Sequence, residues 1–150
     1  MRITLYDLAL RTLGIREVPG PVHHPLIQFG FSLCTGYGLE TADEVPWCSA
    51  WLQVPCWWLD LPRSKSAAAR SWLTVGTQID LSSASVGYDV AVLERGPAPA
   101  GHVGLYAGHT PESITLLGGN QSDAVRLTSF PVSRVLAVRR LHQGDTGWHR

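Results

Sequence analysis

Asp43-Glu44-Val45-Pro46-Trp47-Cys48-Ser49-Ala50-Trp51-Leu52-Gln53 is the stretch whose reading decides the fold. Pro46 suits the first turn of a helix, where its missing N–H would have no intrahelical partner, and Asp43 or Glu44 suits the positive helix end. The spacing therefore predicts a helix with Cys48 in its opening turn. Trp47, Trp51, Val54 and Trp58 fall on one stripe and Leu52, Cys56 and Leu59 on an adjoining one. A helix apolar around so much of its girth belongs at the centre of a domain. Pro55 is expected to kink or interrupt it.

Upstream, Thr4 followed by Asp7 forms a capping pair for a helix with the stripe Leu5, Leu8, Ala9, Leu13, and Gly14 is its stop. Residues 17–25 hold Pro19, Gly20 and Pro21 beside two histidines and read as a loop before a short helix near Leu26 to Phe31. Downstream, Ser66-Ala67-Ala68-Ala69-Arg70-Ser71-Trp72-Leu73 favours another helix. After Gly76 the period changes to two. Val90/Val92, Val103/Leu105, Ile114/Leu116, Val125/Leu127 and Val135/Ala137 mark alternating segments between turn residues. Helices first and strands afterwards predict an α+β fold, with N-terminal helices packed on a C-terminal antiparallel sheet.

The 150 residues fit one domain, 1–150, with about 143–150 as a flexible tail. Twelve basic and twelve acidic side chains, with no basic stripe among them, argue against a nucleic-acid partner. The apolar runs fall short of the roughly 20 residues that span a bilayer, so no membrane insertion is expected. Asp7 and Arg11 interrupt the apolar N-terminal stretch and argue against a secretory signal, so synthesis in the cytoplasm is expected. Cys34, Cys48 and Cys56 form no CxxC pair and leave an odd thiol, which fits that compartment better than a disulfide framework. His23, His24, His102 and His109 show no zinc-ligand spacing, and no metal site is expected. Glu17, Asp43 and Glu44 could hold calcium, although acidic loop residues are more often simply solvated.

A thiol attacks a carbonyl as thiolate, and a helix N-terminus favours that charge through its dipole and its free N–H groups. The same N–H groups could hold an oxyanion. Cys48 is thus the candidate nucleophile, although among tryptophans a cysteine can equally be a small core residue. In Gly101-His102-Val103-Gly104-Leu105-Tyr106 the glycines allow close approach to His102 at a strand start. Asn120, in Leu117-Gly118-Gly119-Asn120-Gln121, could fix the imidazole tautomer, or could be a plain turn residue. Trp47, Trp51, Trp58 and Trp72 have core spacing, whereas Trp57 and Trp148 are expected at the surface.

Trp-Cys-Ser-Ala at 47–50, Ser-Ala-x-Ala-Arg-Ser-Trp-Leu at 66–73, Gly-His-Val-Gly-Leu-Tyr at 101–106 and Leu-Gly-Gly-Asn-Gln at 117–121 together resemble the CHAP and NlpC/P60 cysteine peptidases, more narrowly their small phage-associated members. Gly14-Ile15-Arg16-Glu17-Val18-Pro19-Gly20 is similar to their opening motif. The resemblance runs from the first helix to Arg139. It implies a papain-like fold and a peptidoglycan hydrolase acting through Cys48, His102 and Asn120, with Trp47, Gln121 and Gly119 at the substrate and no obligatory cofactor. Gln121 competes with Asn120 for the third role. The resemblance also implies action in the periplasm or cell wall, as a phage endolysin or virion-associated lysin released with holin assistance. Its alternatives are a secreted antibacterial effector with an immunity protein and a non-catalytic wall-binding module. Two departures from the family pattern are Tyr88, between Gly87 and Asp89, and Pro55.

Overall fold

The computed structural model describes residues 2–18, 23–38 and 46–141. The expected tail, Trp148, Asp43 and Glu44 lie outside them. Thr4 and Asp7 form the reciprocal cap of α1 (Leu5–Leu10), each side chain accepting the other's backbone N–H. The chain then turns through Gly14, which takes a left-handed φ of 91°. Pro25 starts α2 (Pro25–Ser32), and His24 caps it by accepting the N–H of Leu26 on Nδ1, a structural use for one of the paired histidines.

α3 (Cys48–Trp58) starts later than Pro46 suggests: Trp47 is its N-cap and Cys48 its first helical residue. The helix also runs through Pro55 without interruption. One missing N–H near a helix end removes one bond, while Trp51, Leu52 and Cys56, fully buried on either side, hold that turn in place. Gly30 allows α2 to cross closely, since a Cβ there would stand 2.8 Å from the carbonyl carbon of Ala50. The expected helix at 66–73 is instead a 3-10 helix, Ala69–Thr74, whose Trp72 is drawn into the core with its Nε1 donating to Ser49 Oγ at 2.8 Å.

Six strands follow: β1 (Thr77–Ile79), β2 (Asp89–Glu94), β3 (Gly101–His109), β4 (Ser113–Gln121), β5 (Ala124–Pro131) and β6 (Val135–Arg140). They form one antiparallel sheet in the order β1-β6-β2-β3-β4-β5. β1, three residues long at the edge, is the strand that alternation does not reveal. Asp89, buried at the start of β2, is gripped by Arg140 of β6 at 2.8 and 2.9 Å and accepts the N–H of Ser85, so this acid ties the sheet together.

The strand faces divide as a period of two requires. Val90, Val92, Val103, Leu105, Leu117 and Val125 join the helices in the main core. Ala91, Leu93, Tyr106, Ile114, Leu116 and Val138 form a second cluster, with Phe130, Val132 and Val135 packed against it. The architecture is thus α+β, with N-terminal helices laid on one face of a C-terminal antiparallel sheet.

Candidate active site

Cys48 gains its position from the residues around it. Trp47 is fully buried and donates from Nε1 to Glu17 Oε1 at 2.8 Å; Trp51, also fully buried, donates to Thr12 Oγ1 at 2.8 Å. The segment carrying Glu17 is itself held to β5: Arg16 bridges Ala124, and the N–H of Glu17 donates to Asp123 O. The opening motif thus anchors the start of α3. Behind Cys48, Ser49 Oγ donates to Ser66 O and accepts from Trp72, fixing the first turn against the 3-10 segment.

The sheet opens where α3 arrives. β2 pairs with β3 from Gly101 to Leu105, whereas the β3–β4 register runs only from Leu105↔Leu117 to His109↔Ile114. The first four residues of β3 therefore lie outside the β4 ladder. In that gap the backbone N–H groups of Val103, Ser49 and Cys48 itself favour the charged form of the Cys48 thiol. His102 immediately precedes Val103. The structure thus brings the candidate nucleophile and the candidate base to one end of the sheet.

The hydrogen bond that the sequence reading gave to Asn120 is made by Gln121. His102 Nε2 lies 2.8 Å from Gln121 Oε1. The reason is a bulge: the β4–β5 register shifts between Gly118 and Gln121, and Asn120 sits there with a left-handed φ of 57°. In a regular strand Asn120 would share the face of Gly118; the shift gives that face to Gln121. The Gln121 amide is also fixed in orientation, because its Nε2 donates to Leu116 O at 3.3 Å and to Arg126 O at 2.7 Å. Oε1 can only accept, so the neutral imidazole carries its proton on Nε2 and its lone pair on Nδ1.

Burial dominates the electrostatics. It pushes the Cys48 thiol up, against the three N–H groups and the positive charge of Arg95, which pull it down. It pushes His102 down to about 4; the Gln121 bond opposes this, and the charges of Arg95 and Arg134 add to it. Near neutral pH the resting pair is therefore an uncharged thiol and an uncharged imidazole.

Two residues expected at the substrate do other work. Trp47 has no exposed surface, and a Cβ added at Gly119 would stand 2.7 Å from its ring, so both belong to the packing of α3 on β4. Trp58, expected in the core, is 69% exposed, while Trp57 is partly exposed as anticipated. Among the described residues no three His, Cys, Asp or Glu side chains gather as metal ligands. A cavity of about 250 Å³ opens beside His102, lined by Arg95, Asn120, Gln121, Ser122, Thr128, Phe130 and Arg134. Sequence reading overlooked its two arginines, because an isolated Arg carries no periodic signal.

No family model matches the chain, and no curated protein matches it. Among solved structures the chain is similar to the structure of NlpC2 from Trichomonas vaginalis, with a TM-score of 0.53 and 21% identity. That likeness covers 91% of this chain and 44% of the other, so the chain spans less than half the length of that neighbour. At such identity the likeness is one of fold, and it agrees with the papain-like, NlpC/P60-type arrangement of helices on an antiparallel sheet.

Proposed function

We propose that this chain is a cysteine hydrolase that cuts an amide bond of bacterial peptidoglycan, with Cys48 as nucleophile, His102 as base and acid, and Gln121 in the orienting role first given to Asn120. The observation that carries this reading is a buried imidazole held by Gln121, one residue before the Val103 N–H that favours the Cys48 thiolate at the start of α3. A purely structural histidine has no need of a cysteine at a helix start in the same gap.

In the proposed reaction Nδ1 of His102 takes the thiol proton as Sγ attacks the scissile carbonyl carbon, and the N–H groups at the start of α3 receive the oxyanion. Collapse breaks the C–N bond, and the proton on Nδ1 leaves with the amine. Water then gives a proton to Nδ1 and its oxygen to the acyl carbon. The carboxylic product departs and Sγ recovers its proton. The chemistry uses protein groups alone and routes nothing through calcium. The fold and the sequence resemblance support a wall substrate. From the sequence resemblance we propose in addition that the protein acts as an endolysin or virion-associated lysin, made in a bacterial cytoplasm and released to the wall with holin assistance. A secreted effector countered by an immunity protein is the alternative route to the same bond.

The test is mass spectrometry of purified peptidoglycan after incubation with the wild type and with Cys48→Ala. New fragments from the wild type alone are expected, and their masses identify the bond. Identical fragment sets from both proteins, across several wall types, would refute the proposal.

A further inference from the structure

The cavity beside His102 has an asymmetry that bears on the substrate. Its walls include His102 and Gln121 but not Cys48. Cys48 belongs to the main core with the helices, whereas Phe130 belongs to the cluster on the opposite sheet face, and its ring centroid lies 5.3 Å from that of His102. The cavity therefore adjoins the imidazole on its Phe130 side, and Cys48 is not among its walls. In an acyl transfer the acyl part stays on sulfur and the amine takes its proton from the imidazole. A group that touches His102 without touching Cys48 belongs to the departing amine.

The charge of this cavity is one-sided. Arg134 is held in place by its Nε, which donates to Glu94 O at 3.0 Å, and by Phe130, whose ring centroid lies 5.3 Å from its Cζ. Those contacts leave the terminal nitrogens of the guanidinium available. Arg95 lines the same cavity from the end of β2. Among the described residues neither arginine has a carboxylate partner, in contrast to Arg140 with Asp89. Asn120, Ser122 and Thr128 add neutral hydrogen-bonding groups. Two guanidinium groups over a small polar hollow suit a planar anion, which arginine binds through paired N–H donors.

We propose that this cavity is the leaving-group subsite and that Arg95 and Arg134 receive a carboxylate carried by the departing amine. The inference rests on the hydrolase reading for its direction, and it narrows the substrate to amides whose amine side is an amino acid or peptide with a free carboxylate near the scissile nitrogen. Capping that carboxylate as an amide would remove the charge without changing the shape, and recognition would fail.

Binding tests this without any need for turnover. Cys48→Ala protein is titrated with D-alanine and with L-alanyl-D-glutamate, each against its carboxamide form, and the side-chain amide signals of Asn120 and Gln121 are followed by NMR. The carboxylates are expected to shift those signals and to bind at least about tenfold more tightly than the carboxamides, a preference lost in Arg95→Gln/Arg134→Gln. Arg95→Gln alone, at an exposed position, is expected to lose part of it and guards against misfolding from loss of the Arg134 staple. No shift with any of these carboxylates, equal binding of both forms, or an unchanged preference in the variants would overturn the subsite. Failure of the hydrolase reading would show instead as unaltered peptidoglycan with the wild type, whatever this titration gives.

Discussion

Replacing Gly118 by Ala puts one methyl group where the Gln121 amide lies. The added Cβ would overlap Oε1 and stand 2.9 Å from Cδ of Gln121 and 3.4 Å from Nε2 of His102. Relief requires the amide to withdraw by at least about half an ångström, yet its Nε2 is pinned to Leu116 O and Arg126 O. The bond that gives way is the 2.8 Å contact to His102, the one without a backbone anchor. Leaving a buried imidazole N–H without its acceptor costs about 1–3 kcal/mol. If the cost falls on the reactive tautomer, kcat/KM should fall roughly 10- to 100-fold. The assay is peptidoglycan fragment release for Gly118→Ala, Gln121→Ala and the double variant, with NMR of the His102 ring nitrogens. The double variant should be no worse than Gln121→Ala, because the methyl then meets nothing that matters. Wild-type rates for Gly118→Ala, or losses that add in the double variant, would refute the role given to Gln121.

Acid should destabilise the fold through His102. Its folded pKa of about 4 lies below the ordinary 6.5, so the unfolded chain takes up a proton first as pH falls. The stability associated with the neutral ring is complete above about pH 6.5 and drains away down to about 4, roughly 3 kcal/mol at most. Urea unfolding at pH 7.5 and 4.5 should therefore show a smaller pH effect in His102→Gln than in the wild type, and equal effects would contradict the buried neutral imidazole. Ser49→Ala should lower stability by about 2–3 kcal/mol, since Trp72 Nε1 loses its acceptor and Ser66 O a donor in a dry environment. A change under about 0.5 kcal/mol in chemical denaturation would show that water replaces the hydroxyl there.

Much of the fold was legible because burial imposes periodicity. The Thr4–Asp7 cap, the apolar girth of α3 and the five alternating segments each reflect a local rule, and each has its counterpart in the structure. What escaped depends on distant partners. The segment at Ala69–Thr74 has helix-favouring alanines, but the bond from Trp72 to Ser49 decides its geometry across 23 residues. Trp58 has core spacing, yet nothing in the sequence indicates that the core ends before it. At the candidate site, the choice between Asn120 and Gln121 as the partner of His102 was not readable. That choice hangs on one bulge, and a shift of one residue exchanges the faces of a strand. The left-handed backbone at 120 suits Asn, which tolerates that conformation better than most residues, so the turn chemistry of Gly-Gly-Asn was itself the clue.

The paired glycines connect these observations. A Cβ at Gly118 would strike the Gln121 amide on one face of β4, and a Cβ at Gly119 would come within 2.8 Å of the Trp51 Cβ on the other. Consecutive strand residues face opposite sides, so two adjacent glycines are what this end of β4 requires if both faces are to be approached at once. One side admits the orienting amide and the other admits the start of α3. Beyond Leu105↔Leu117 the β3–β4 register stops, and the Val103 N–H in that stretch favours the Cys48 thiolate. The start of α3 and the start of β3 meet where the sheet gives up regular pairing at one corner, and the two glycines let α3 and Gln121 approach β4 from its two faces.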